Sequence, residues 1–149
     1  MPARGIRHRN ARGAAAVEFA LLLPILLLLV FGTIQYGMYF WAMQGGSDVA
    51  RSAARRAAVG DPATCADFRA TVLSDIDGLT GSGATATVTR TYQTAIPSTV
   101  QVGDVVTVHV EFSSFDLQVP FLPFVNNGEV TATVKSRVDF VPQQPETCP

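Results

Sequence analysis

The sequence predicts an α+β fold: a single N-terminal transmembrane helix, then short helices, then a small antiparallel β-sheet head. Three observations lead there. Phe19 to Met43 contains no charged residue. Phe68, Val72, Ile76 and Leu79 recur at helical spacing. Beyond Gly83 the apolar period drops to two. A chain of 149 residues holds one ordinary domain and an extra segment. The predicted organisation is a basic leader at 1–13, a transmembrane helix at 14–43, a helical stalk region at 44–80 and an extracytoplasmic β-rich region at 81–149.

The apolar run is about 25 residues, which at about 1.5 Å of rise each crosses a hydrocarbon core of roughly 30 Å with some tilt. Leu and Ile dominate its first half, and Tyr36, Tyr39 and Trp41 gather at its far end, where aromatic rings favour the headgroup level. A removable secretory signal would have a shorter apolar region followed by a small-x-small site. No Ala-x-Ala follows Trp41, so the run reads as an anchor.

Charge divides the chain. Arg4, Arg7, Arg9 and Arg12 precede the span without an acid among them, while the remaining seven basic residues face all 12 acids. That balance gives no support to nucleic-acid binding. Arg51, Arg55 and Arg56 follow the span, so the positive-inside bias toward a cytoplasmic N-terminus is slight. The cysteines add weight. Cys65 and Cys148 are the only two, and an even pair in an exported domain reads as a disulfide. Residues 44–149 are therefore expected outside the cytoplasmic membrane.

A carboxylate at the mouth of an apolar span is costly and tends to be functional, unless it only snorkels to the headgroups. Glu18 is in that position, within Arg12-Gly13-Ala14-Ala15-Ala16-Val17-Glu18-Phe19. Gly, four small or apolar residues, then Glu and an aromatic resembles the prepilin-peptidase site of type IV pilins. The longer pattern, from Arg12-Gly13 through Val17-Glu18-Phe19-Ala20 and Pro24 to Gln35-Tyr36-Gly37, is similar to TadE-like proteins of tight-adherence (Flp) pilus systems. That family often has Glu where this chain has Gln35.

The resemblance implies cleavage after Gly13, a mature chain starting at Ala14, and Glu18 and Phe19 as its fifth and sixth residues. Implied partners are a prepilin peptidase, other pilin or pseudopilin subunits, the pilus inner-membrane platform and the membrane. The implied function is that of a minor pilin, pseudopilin or assembly factor, not an enzyme. The location is a single-pass cytoplasmic-membrane protein, with passage into an extracellular pilus left open.

Beyond the span, Gly45-Gly46 reads as a flexible joint, and Ser47 to Ala58 as a helix capped by Ser47 and stopped by Gly60-Asp61-Pro62. It is either a continuation of the pilin-type helix or a short helix on the membrane surface. Pro62 to Leu79 reads as a second helix. Ala84 to Tyr92 is a strand candidate. Val100 to Val102, a Gly103-Asp104 turn, and Val106 to Phe112 suggest a hairpin, and Glu129 to Val141 a third long strand. Between them Phe115, Leu117, Phe121, Leu122, Phe124 and Val125 make an apolar stretch, either tucked against the sheet or an exposed contact patch.

Chemistry is hard to find. His8 belongs to the leader, and His109 sits in a Val-rich strand. A Cys65–His109 thiol and base is conceivable, but a disulfide would consume the thiol. Asp75-x-Asp77-Gly78 lacks the further ligands of a calcium loop. There is no phosphate loop, metal motif or nucleophile elbow, so no cofactor, metal or small-molecule substrate is expected. The competing reading is an uncleaved single-span surface-binding module that captures a partner on its apolar loop.

Overall fold

A computed structural model describes residues 10–80, 85–120 and 122–149, with side chains from Gly13 onward. The leader residues 1–9, the breaker glycines Gly81 and Gly83, and Phe121 of the apolar stretch lie outside the described residues.

The longest element is α1, Asn10–Ala58, 49 residues with Pro24 inside it. It begins ahead of the expected leader boundary and runs through Gly45-Gly46 without a break. The expected joint is thus corrected, and so is the expected cap at Ser47, which lies inside the helix. The reason is packing. A Cβ on Gly46 would stand 2.7 Å from Cε1 of Phe112, and one on Gly45 2.6 Å from Cδ2 of Leu79. The two glycines let a sheet and a second helix approach the α1 backbone, and this contact outweighs their low helix propensity.

Burial along α1 changes abruptly at Gly32. From there one face is covered at Gly32, Gln35, Tyr39, Ala42, Gly46, Ala50, Ala53 and Ala57, steps of three and four that follow the helical repeat. α1 ends in a Schellman motif. The Gly60 N–H donates to Ala57 O at 3.1 Å and the Asp61 N–H to Arg56 O at 3.1 Å, with Gly60 at φ +69 where glycine carries no Cβ penalty.

After the cis Asp61–Pro62 bond, Thr64 caps α2, Cys65–Thr80. Its Oγ accepts the Asp67 N–H at 3.2 Å and donates to Asp67 Oδ2 at 2.7 Å, which satisfies one free N–H of the first turn. Phe68, Val72 and Ile76 are buried, and Leu79 packs on the core at its edge, the face that the spacing predicts.

The sheet is an antiparallel meander, β1 (Ala86–Gln93), β2 (Val105–Ser113) and β3 (Glu129–Arg137), in that order. Val106, Val108, Val110 and Phe112 of β2 are at most 1% exposed and face α1, while Thr89, His109 and Thr133 align across the outer face. Alternation of this kind sets which side meets the core.

The expected hairpin is corrected. Val100 to Val102 is no strand, because the Val100 N–H and C=O are both taken by the Gln144 side chain, at 2.9 and 3.2 Å. β2 pairs instead with β1, and Asp104 ties the connection by accepting from Ala95 and Gln101 N–H at 3.2 and 2.8 Å. β3 also stops short of Val141. The Asp139 and Phe140 amides turn to Ala58 O at the end of α1, at 2.9 and 3.3 Å, and Phe140 is 59% exposed.

Candidate functional site

Gly13, Ala14, Glu18 and Phe19 lie on the opening turns of α1, all exposed. Glu18 is five residues past Gly13, about 7.5 Å along the axis, and makes no hydrogen bond or ion pair among the described residues. From Val17 to Phe31 nearly every large apolar side chain is exposed, Leu21, Leu22 and Leu29 most of all. The most apolar 18-residue window has mean hydropathy 2.6, with none of it buried. The core helix of a soluble domain would be covered. A removable signal would not continue, as this helix does, into the folded head. One N-terminal helix therefore marks a single-pass membrane protein.

Where the helix meets the head, the segment after β2 folds down along it. Gln35, only 2% exposed, accepts the Leu117 N–H at 2.8 Å and donates from Nε2 to Phe115 O at 3.2 Å. The Tyr36 hydroxyl donates to Pro123 O at 2.9 Å. The Tyr39 and Phe124 rings meet edge to face at 5.6 Å. Leu122 lies over Gly32, its Cδ1 at 3.6 Å from where a Cβ would stand. Leu122 and Phe124 thus lie against α1, with the Phe124 ring also close over Gly128 just before β3, while Phe115, Leu117 and Val125 remain 52%, 36% and 46% exposed.

At the other end of the head Cys65 and Cys148 form a disulfide, Cα to Cα 5.4 Å, joining the start of α2 to the C-terminal segment. That segment also lies along β1: Arg90 and Cys148 exchange both backbone hydrogen bonds, at 2.8 and 2.7 Å. The Arg90 side chain is fully buried. It donates to Pro62 O, Ala63 O and Glu146 O at 2.7 to 3.0 Å, with its guanidinium 4.4 Å from the Phe68 ring centroid. Burial lowers its pKa from the usual arginine range, and Tyr92 and Glu146 work against that shift. Burial in turn raises the Tyr92 hydroxyl.

The remaining candidates disperse. His109 meets Thr133 Oγ at 2.8 Å on the outer sheet face, and Cys65 is spent in the disulfide. Asp75 pairs with Arg56 at 3.3 Å, and Asp75 to Gly78 are helical. Among the described residues no three His, Cys, Asp or Glu side chains gather for a metal.

Two features escaped the sequence reading. Gln35 was visible as an unmatched polar residue in an uncharged run, which calls for a buried partner, but nothing local named the loop 80 residues away. Arg90 shares the inward parity of Val88 and Tyr92, a signal that a strand arginine is buried.

The helix that carries both the opening turns and the loop contact is also where a relationship is found. The family model of TadE-like proteins matches residues 13–55. Comparison with curated proteins and with solved structures returned no match. The matched segment coincides with the motif read from the residues, so over residues 13–55 the chain is similar to TadE-like proteins, a likeness that supports a general association with tight-adherence pili.

Proposed function

We propose that the chain is a minor pilin or pseudopilin, or an assembly factor, of a tight-adherence pilus, working by packing its apolar helix beside those of other subunits at the cytoplasmic membrane. The observation that carries this reading is Glu18: one carboxylate on an otherwise apolar, uncovered half-helix, rigidly continuous with a folded head. A lone charge there is penalised by several kcal/mol unless it reaches headgroups or finds a partner.

In this reading a prepilin peptidase cuts after Gly13 at the cytoplasmic face, and the head lies outside. The freed amine of Ala14 on an adjacent subunit then pairs with Glu18. The platform and neighbouring pilins are the partners; no small molecule is involved.

The test replaces Glu18 in a strain lacking the wild-type gene. Glu18→Ala and Glu18→Gln should insert normally and leave the head's melting unchanged, yet reduce piliation. Glu18→Gln keeps the shape and separates the ion pair from packing. Normal piliation with both variants would leave Glu18 a snorkelling end residue and remove the pairing mechanism. Mass spectrometry of protein from the native host should find the N-terminus at Ala14; a retained leader would favour the uncleaved surface-binding module instead.

A further inference from the structure

The loop of residues 115–120 and 122–125 lies beside the part of α1 that leaves the membrane, and its composition is unusual for a largely irregular segment. From Ser113 to Gly128 the only charged residue is Asp116. Its contacts descend the helix in order: Phe124 at Tyr39, Pro123 at Tyr36, Phe115 and Leu117 at Gln35, Leu122 at Gly32. Seven residues of helix separate the first level from the last, about 10 Å. Counted from Gly13, about 28 Å of helical rise ends at Gly32; counted from Phe19, where the uncharged run begins, about 30 Å ends at Tyr39. The loop's contacts, from Gly32 to Tyr39, therefore fall at the head-side boundary of the bilayer that the helix spans.

The backbone of the loop is prepared for that location. Irregular backbone is tolerated near lipid only where its polar groups are met by protein. Pro120 and Pro123 have no N–H to satisfy. The Leu117 N–H and Phe115 C=O are matched by the two ends of one neutral amide, and Pro123 C=O by Tyr36. The Gln118 N–H goes to Asp116 Oδ1 at 2.8 Å, and the Leu122 N–H to Val119 O at 3.2 Å. Outward, the loop offers Phe115, Leu117 and Val125, at the level where other faces of the helix expose Ile34, Phe40 and Trp41. Large apolar side chains next to the aromatic end of a spanning helix suit the headgroup and acyl boundary.

We propose that residues 115–120 and 122–125 form a membrane-interface wedge, which inserts Phe115, Leu117 and Val125 into the head-side leaflet of the bilayer crossed by α1. The charge of Asp116 limits the insertion to the boundary region. The wedge and Gln35 together fix the head's height and tilt on the membrane, a constraint the helix alone does not impose. The proposal rests on α1 spanning the membrane and is independent of pilus function.

The test is depth-dependent fluorescence of the full chain in phosphatidylcholine vesicles with brominated acyl chains. Trp41 is the only tryptophan, so Trp41→Phe gives a silent background. Phe115→Trp and, separately, Val125→Trp should lose emission to bromine near the headgroup end of the chains and be shielded from aqueous iodide. Ile96→Trp, in the β1–β2 connection at the Ala58 end of the head, should show the reverse. Leu27→Trp reports the span itself. If Leu27→Trp is quenched by bromine while both loop variants are quenched only by iodide, the wedge is refuted and the span stands. Shielding of the loop variants from iodide without bromine quenching would also refute it, and would assign the surface to a protein neighbour. If Leu27→Trp escapes bromine, the spanning helix and the wedge fall together.

Discussion

The two halves of α1 are one unbroken helix with opposite vocabularies. Before Gly32 it displays Leu, Ile, Val and Phe on all sides, and these side chains are exposed. From Gly32 onward its covered face is mostly Gly and Ala, with Gln35 and Tyr39 as the exceptions. The difference follows from what each half touches. Lipid requires large apolar surface in every direction but no particular shape. A sheet packed on a helix requires close approach, which small side chains permit and large ones prevent. Total hydrophobicity therefore says little about where the protein core lies. The core side of this helix is the less apolar half.

The strongest test of the contrast is to make one substitution on each kind of surface. Gly46→Ala places a Cβ against the buried Phe112 ring and within 3.2 Å of Val130 Cγ1, and overpacking of that sort costs about 1–3 kcal/mol. Gly46→Leu should reach the upper end or exceed it. Gly37 has nothing within 4 Å of its Cβ position, so Gly37→Ala should cost nothing and gain up to about 1 kcal/mol of helix propensity. Thermal melts of the head in detergent compare the two. Equal effects at positions 37 and 46 would erase the distinction between the covered and the uncovered face of this half.

A smaller effect is expected at the junction. Gln35→Glu removes the donor to Phe115 O while introducing a charge, and an unmatched buried polar group costs about 1–3 kcal/mol. Gln35→Met keeps length and removes both partners, leaving the Leu117 N–H and Phe115 C=O without the amide. Both should speed proteolytic cleavage within residues 115–125 while the disulfide and sheet remain intact. Unchanged cleavage in both would mean that the loop is held by Tyr36, Tyr39 and Gly32 without Gln35.

Much of this was legible in the residues because it is local. The apolar span, the apolar face of α2 and the inward parity of β2 and β3 follow patterns that a sequence displays directly. The even pair of cysteines was visible too. What failed was decided by distant contacts. Gly45-Gly46 reads as a joint until Phe112 and Leu79 are brought to it. Val100 to Val102 reads as a strand until Gln144 takes its backbone groups. The Phe115 to Val125 stretch reads as lying either on the sheet or exposed; its described residues Leu122, Pro123 and Phe124 meet α1, while Phe115, Leu117 and Val125 turn apolar surface outward. No local period encodes a match between Gln35 and a loop 80 residues away.

The smallest expected effect bears most directly on the lipid-facing half. Leu29 is 64% exposed, although its side chain is of the kind that fills cores. In a packed core Leu→Ala costs about 2–5 kcal/mol, because transfer and cavity terms add. Facing lipid, no protein cavity forms, and insertion should weaken by only a few tenths of a kcal/mol, the scale of one Leu at a helix centre. Leu29→Ala should therefore leave the head's melting temperature within error of wild type, in detergent and in bilayers. Val108→Ala, in the sheet and fully buried, should lower it clearly and serves as the reference for a true core position. The comparison is informative in either direction, since the two side chains differ in surroundings far more than in chemistry. A loss at Leu29 approaching that at Val108 would show that this half of α1 is covered by protein, either another copy or another subunit. The division of the helix into a lipid half and a protein half would then hold only for the isolated chain.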